Sequence, residues 1–435
     1  MIGLTKDTTR IFSSLLAMDR WFESLRTPQG IGGPVSHWWE SSLLYCAPMI
    51  DWRYEGLLSG YVELYRKTNQ QTWLERAVVT GNEACGAQLD NGCFWNSSFQ
   101  IGPIEGGTPH ESAVDVGLLE LAALLRELGD SRWQAYFEAA ERNLHKFQIG
   151  RLWNDQKRAF RDQPWNSTYV PNKNGTIMEA LLLYETLSGE SMEQYVFGAA
   201  ELILSAQVHK AVPYQGATIH LGTGQHRLTI GIYTARNVGA LMRLYSHYPC
   251  QRFLDAALAM GKFLETLLRS DGTAFGYYPD GRMILCPTWV SPSGDFLRAF
   301  LALQPFAPGQ DVLTEQITAI LLSQQLASGG IPTSHGLGHK GGVKAPPSLP
   351  DFRDVLPVAG WTDKAFRGLA LSLPVGFNDQ VSLAAQSPTN VACTWKGTPC
   401  LYVESEDELS LISKHGNRPL YRWQKRLPYP DVYQL

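Results

Sequence analysis

Residues Ile50 to Trp73 read IDWRYEGLLSGYVELYRKTNQQTW, and His110 to Trp133 read HESAVDVGLLELAALLRELGDSRW. Sixty positions separate the two stretches, and each carries an acidic residue (Glu55, Asp115), an apolar run, a polar break and a tryptophan in the same frame. Self-similarity at a fixed period of this length marks a chain built from repeated supersecondary units. The frame continues in NKNGTIMEALLLYETLSG from Asn172, TIGIYTARNVGALMRLYSHYP from Thr229, WVSPSGDFLRAFLALQPFAPG from Trp289 and GWTDKAFRGLALSL from Gly360. Each predicts a mostly apolar helix, and the first five end in a Gly, Pro or polar turn.

A second helix of different character follows each of those five. Trp133, Tyr136, Phe137, Ala140, Leu144 and Phe147 fall at i, i+3, i+4, i+7 spacing with charges between them, which predicts a half-exposed helix. Similar stretches begin near Gln71, Met192, Cys250 and Val312, and Asp7 to Leu25 supplies a sixth at the start of the chain. A helix that is apolar all round must be surrounded by protein, whereas a one-sided helix can wrap it. The expected architecture is therefore an all-α (α/α)6 toroid, six inner helices within six outer ones, over residues 1–374. An open solenoid would need polar capping repeats. Here the chain begins with an outer helix and ends with an inner one, which completes a sixth pair. Long loops such as Gln88 to Pro109 and Ser328 to Pro357 should all gather over the N-terminal ends of the inner helices. Residues 375–435 break the pattern and are expected to form a short, irregular or β extension packed on the toroid, with TPCLYVE and PLYRWQKR as its strands.

A chain of 435 residues, 44% hydrophobic and 18% charged, can bury a large core. Its net charge of -4 and pI near 6.2 provide no basic footprint for nucleic acid and no polybasic membrane anchor. The segment MIGLTKDTTRIFSSLLAMDRWFESL lacks the uninterrupted apolar core of a signal peptide or membrane span, so a cytoplasmic protein is expected. Seven cysteines without a C-x-x-C pair fit reduced, mostly buried thiols better than a disulfide framework. In that setting the sequons at Asn96 and Asn166 carry no weight.

The toroid gives the opening repeat a purpose. Glu55 and Asp115 are equivalent first-turn residues, and the frame adds Asp295 in the fifth inner helix and Asp363 in the sixth, so four carboxylates should ring one cavity. Acidic residues also favour first helical turns through capping and the macrodipole alone. The third and fourth repeats carry Gly175 and Ala235 in the frame, with Asn172, Lys173, Asn174 and Arg236 beside them, so one side is acidic and the other offers donors. Glu55 and Asp115, on adjacent inner helices, are expected to work as acid and base or nucleophile, with Asp295 or Asp363 able to replace either.

The loops over this face are aromatic. Trp38, Trp39, Trp52, Tyr54, Trp95, Trp153, Trp165, Tyr169, Tyr277, Tyr278, Trp289 and Trp361 lie in or beside them, whereas Trp133 on an outer-helix stripe belongs to the core. From these, Trp38, Trp39, Trp52, Tyr54, Trp289 and Trp361, with His110, Glu111, Asn172, Lys173 and Arg236, form the expected substrate-binding set. Aromatic walls with carboxylates suit sugars, whose apolar faces stack while their hydroxyls need acceptors. They also suit a carbocation during cyclisation.

Through the helix-pair period and segments such as YEGLLSGYVELYRKTNQQTW and VDVGLLELAALLRELGDSRW, residues 1 to about 373 resemble the six-hairpin glycosidase superfamily, with its sugar epimerases, uronyl hydrolases and polysaccharide lyases. The resemblance implies a carbohydrate-active enzyme acting on an oligosaccharide or small molecule; no cofactor is expected, because no strong ligand cluster stands in the sequence and carboxylates can supply both acid and base. In the uronyl hydrolases one catalytic aspartate lies in a His-Asp-x-Gly-Phe-like segment; Asp115-Val-Gly-Leu is similar, with His110 five residues earlier instead of adjacent. Terpenoid cyclases share the toroid, and QLDNGCF (Gln88 to Phe94) and QLASGGI (Gln325 to Ile331) are similar in spacing to their repeats, without the tryptophan. Their Asp-x-Asp-Asp and Asp-Asp-x-x-Asp motifs are missing. Cyclase, isomerase and non-catalytic glycan-binding protein stand as alternatives. His335 and His339 in HGLGHKGG lack a third ligand, and no metal site is expected.

Overall fold

The computed structural model describes residues 6–35, 44–46, 52–94, 109–222, 227–337, 349–378, 387–414 and 418–425. Its inner helices are α2 (Trp52–Thr68), α4 (Ser112–Glu127), α6 (Pro171–Ser188), α8 (Gly231–His247), α10 (Gly294–Leu303) and α13 (Ala359–Leu371). The outer helices are α1 (Lys6–Leu25), α3 (Gln71–Gly86), α5 (Trp133–Arg142, continued as a π-helical segment to Leu152), α7 (Glu193–Ser205), α9 (Gln251–Thr266) and α11 (Gln310–Ser323). A single turn, α12 (Phe352–Val355), precedes α13.

The apolar-all-round helices are the ones that end up enclosed. In α13 every residue from Ala359 to Ala370 is buried, whereas α9 buries one face through Phe253, Ala257, Met260 and Leu264. Packing runs α2 to α4, α6, α8, α10 and α13, and α13 returns to α2, so the inner ring closes. Each outer helix packs on its own inner partner, and α1 covers α13 to complete the sixth pair. Small residues permit the inner contacts: a Cβ on Gly56 would stand 2.4 Å from the Asp363 carbonyl oxygen, and one on Gly294 would stand 2.1 Å from that of Lys364.

The structure adds β elements that helical periodicity does not reveal. Gly272–Tyr277 and Met283–Trp289 pair as an antiparallel hairpin, extended by Thr229–Ile230, Leu268–Arg269 and Ser334–His335 into one sheet. Tyr277 and Trp289, read from sequence as lying in or beside the loops, are strand residues. All six positions of Gly272–Tyr277 are buried, so the strand lacks the in-out alternation that would betray it.

At the C-terminal end Thr389–Trp395, Thr398–Glu404, Glu408–Ser413 and Pro419–Gln424 form a four-stranded antiparallel meander, more regular than the short strands expected. Glu404 connects it to α1. Its buried carboxylate accepts from Trp21 Nε1 (2.8 Å), Ser328 Oγ (2.7 Å), Tyr402 Oη (2.7 Å) and Lys425 Nζ (2.8 Å). Burial opposes its charge, but Lys425 and these donors prevail and hold the carboxyl below its ordinary range. Cys93, Cys393 and Cys400 are buried free thiols, and Cys250 is exposed. Among the described residues no helix is long and apolar enough to cross a membrane.

Candidate functional site

The N-terminal turns of the inner helices converge on a network of charge. Glu55 on α2 is fully buried, and each of its oxygens meets a guanidinium: Arg236 Nη1 donates to Oε2 at 2.5 Å and Arg367 Nη1 to Oε1 at 2.5 Å. Burial works against the charge, yet Arg236, Arg367 and Lys364 outweigh it and hold the carboxyl well below the ordinary range. The second arm of Arg367, Nη2, donates to Asp295 Oδ1 at 2.8 Å.

Asp363 meets the same group through Lys364. The Lys364 ammonium donates to Asp363 Oδ2 at 2.7 Å and to the Trp52 carbonyl at 2.8 Å, and lies 3.7 Å from Glu55 Oε2. Among the described residues Asp363 Oδ1 has no hydrogen-bond partner, and burial pushes this carboxyl up to about 7 against the pull of Lys364 and Arg367. Asp363, Lys364 and Arg367 span little more than one turn of α13, so one short segment gathers carboxylates from α2, α10 and α13.

A second tier lies deeper. Glu179, two turns into α6, is fully buried and accepts both arms of Arg298, with Arg236 Nη2 at 3.4 Å and Arg243 Nε at 3.8 Å. Burial again opposes its charge, and Arg298, Arg236 and Arg243 overcome it to hold the carboxyl low. Arg243 also donates to Glu120 at 2.6 Å.

Aromatic groups adjoin the network. His110, on the turn Pro109–Glu111, stacks on Trp52 with ring centroids 5.6 Å apart and planes 7° apart. Trp52 meets Trp361 at 4.7 Å, and Trp361 meets Trp289 at 5.6 Å. Enclosure of its ring, then Arg236, Lys173 and Lys364, hold the His110 imidazole well below its ordinary pKa, so it is neutral. Lys173 pairs with Asp162 at 2.5 Å. Asn172 is buried, and among the described residues its Oδ1 has no hydrogen-bond partner.

The structure thus unites Glu55, Asp295 and Asp363, and sets His110, Trp52, Trp289, Trp361, Lys173 and Arg236 around them. Asp115 is not bonded into this network. Its carboxyl on α4 is fully buried, and among the described residues neither oxygen has a hydrogen-bond partner. Burial, then the Glu111 carboxylate one turn earlier, push it well above its ordinary value. Tyr54, expected at the cavity, instead faces the outer layer: its hydroxyl donates to Glu83 of α3 at 3.0 Å and accepts the Ile31 N–H at 2.6 Å. Trp165 is exposed. Trp38, Trp39, Trp95 and His339 lie outside the described residues. His335 sits in the short strand Ser334–His335, and no cluster of three potential metal ligands occurs among the described residues.

Sequence reasoning passed over Arg367, Lys364, Glu179 and Arg298. Their signal was present: a charge in the middle of an apolar helix, as in TIMEALLLY, needs a buried partner. Which partner depends on helices far away in the chain. Chemically, the site offers a carboxyl that titrates near neutrality beside ion-paired carboxylates, a neutral imidazole and indole surfaces.

No protein-family profile matches the sequence, and no curated protein matches it by sequence. Solved structures do resemble it. D-mannose isomerase aligns with TM-score 0.62 at 12% identity, covering 86% of this chain and 99% of that one. Cellobiose 2-epimerase from Bacillus thermoamylovorans B4167 aligns with TM-score 0.61 at 11% identity, covering 84% and 98%. A glycoside hydrolase family 76 mannosidase from Bacteroides thetaiotaomicron VPI-5482 aligns with TM-score 0.58 at 12% identity, covering 84% and 98%. At these identities the likeness concerns architecture: the chain has an (α/α)6 toroid fold, and these solved structures share it.

Proposed function

We propose that the protein is a carbohydrate-active enzyme that cleaves a glycosidic bond with the carboxyl groups gathered by α13. The observation that carries this reading is the joint hold of Lys364 and Arg367 on Asp363, Glu55 and Asp295. Glycoside cleavage needs one protonated and one ionised carboxyl, set apart by their surroundings. Asp363, pushed up to about 7, keeps a proton available at neutral pH and serves as the acid toward the leaving oxygen. Asp295, ion-paired to Arg367 through one oxygen, is its base or nucleophile. Glu55, occupied at both oxygens, fixes Arg236 and Arg367 in place. Trp52 and Trp361 offer faces for sugar rings.

The test is incubation with a panel of oligosaccharides, with products read by mass spectrometry, for wild type, Asp295→Asn and Asp363→Asn. Each substitution is expected to lower turnover by about a hundredfold or more. Near-normal turnover by folded Asp295→Asn on the identified substrate would refute the assignment.

One observation favours a second reading. The neutral imidazole of His110, stacked on Trp52, is suited to take a proton from a carbon next to a sugar carbonyl, as an isomerase or epimerase requires. Isotopes separate the two. Hydrolysis in H2(18)O places heavy oxygen in a product, whereas proton transfer in D2O places deuterium on carbon with no loss of sugar units. The similar proteins reported above are named for sugar isomerisation, epimerisation and mannoside hydrolysis, and terpenoid cyclisation draws no support from them.

A further inference from the structure

We propose that the substrate carries an anionic group, and that the corner of the site shared by α6 and α8 binds it, with Arg236 and Lys173 supplying positive charge and Asn172 accepting a neighbouring sugar hydroxyl. This rests on the carbohydrate reading and adds the substrate's charge to it.

Buried polar atoms are left unbonded on both sides of the ring among the described residues. Toward α13 and α10 they are Asp363 Oδ1 and Arg367 Nε, although Arg367 meets Glu55 and Asp295 through its two terminal nitrogens. Toward α6 and α8 they belong to Arg236, which meets Glu55 through Nη1, and to Asn172. Arg236 is 4% exposed, yet among the described residues its Nε has no hydrogen-bond acceptor, and its Nη2 makes no hydrogen bond despite lying 3.4 Å from Glu179. Asn172, also 4% exposed, has an unbonded Oδ1. A buried guanidinium N–H without an acceptor is costly, and an oxyanion is the acceptor that suits it best. An amide oxygen needs a donor, which a sugar hydroxyl provides.

The neighbours point the same way. Lys173 adjoins Asn172 and is partly exposed; its bond to Asp162 uses one of three ammonium donors. The turn bearing His110 packs on α6, and Arg236, Lys173 and Lys364 act on the imidazole with Glu55 opposing them. Burial is the first reason that His110 stays neutral and the three cations add to it; although Lys173, Arg236 and Lys364 are each paired with a carboxylate, cations that disfavour a charged imidazole favour a bound anion.

The experiment measures binding of glucose, glucuronate, glucose 6-phosphate and inorganic phosphate to the full chain by calorimetry, at low and high salt, for wild type and Lys173→Met. The charged sugars are expected to bind at least about tenfold more tightly than glucose, which is the gain from one charge-assisted contact. Salt should erode that preference, and Lys173→Met, with its melting temperature retained, should lose most of it. The carboxylate and phosphate arms show which anion fits. Glucose binding as well as the charged sugars, or a preference undiminished in Lys173→Met, overturns the inference. Inorganic phosphate bound by wild type but not by Lys173→Met, with no sugar bound, upholds the anion site and removes the carbohydrate reading. Turnover of neutral oligosaccharides without any anion preference upholds the carbohydrate reading and removes the anion site.

Discussion

The backbone N–H of Gly56 donates to Asp363 Oδ2 at 3.0 Å, a bond between the first inner helix and the last across 307 positions of sequence. It closes the ring at the place where the candidate acid sits. A methyl group on Gly56 would stand 2.4 Å from both the Asp363 carbonyl oxygen and its carboxylate. Because backbone cannot give way cheaply, Gly56→Ala is expected to destabilise the fold by about 1–3 kcal/mol or more, measured by chemical denaturation. An unchanged midpoint would mean that α2 and α13 are not so closely joined.

Glu55→Gln leaves Arg236 and Arg367 buried with a neutral partner, and should cost about 3–5 kcal/mol of stability. The pH dependence has a definite sign. Glu55 titrates below its ordinary 4.5 in the fold, so its stabilising effect is present above that pH and is lost as pH falls through the lower folded value. Melting curves of wild type should therefore drop more steeply with acid than those of the variant.

Asp363 has the opposite sign. Its carboxyl is raised from 3.8 to about 7, so between those values the folded protein keeps a proton that the unfolded chain has lost, and stability falls as pH rises through that window. Asp363→Asn should flatten the fall. Turnover of wild type should decline above about pH 7 as the acid loses its proton. An alkaline limb that is the same in wild type and in any residual activity of the variant would assign it to another group.

Asp115→Asn separates a buried carboxyl from a catalytic one. Its folded pKa is raised, so wild type loses stability as pH climbs above the unfolded value, and the variant should gain on wild type in melting temperature as pH increases. With no bonded link to Glu55, Asp115 is expected to be replaceable with near-normal turnover. A loss of about a hundredfold would instead place it in the chemistry.

Glu404→Gln removes the counter-charge of Lys425 at the junction of the C-terminal sheet with α1. Leaving that ammonium buried should cost about 3–5 kcal/mol. If the sheet and toroid form one cooperative unit, the far-ultraviolet and tryptophan-fluorescence transitions should shift together; a transition confined to one probe would show that the sheet unfolds by itself.

The sequence alone determined the toroid, because the inner helices repeat a local pattern: apolar on all sides, with a carboxylate near the start in four of the six, and in the first five followed by a one-sided partner. Period, amphipathicity and turn residues are properties of neighbouring positions, so Glu55, Asp295 and Asp363 could be assigned to a common rim from the frame. Pairing is not local. Arg367 reaches Glu55 across 312 positions and Asp295 across 72, and only the curvature of the ring decides that one guanidinium meets both. The same curvature leaves Asp115, the frame equivalent of Glu55, without a bonded partner among the described residues, and the rotation of α2 turns Tyr54 outward to Glu83. First-turn carboxylates that look alike in sequence thus acquire opposite protonation tendencies, since burial raises a carboxyl pKa unless cations from distant helices arrive to lower it.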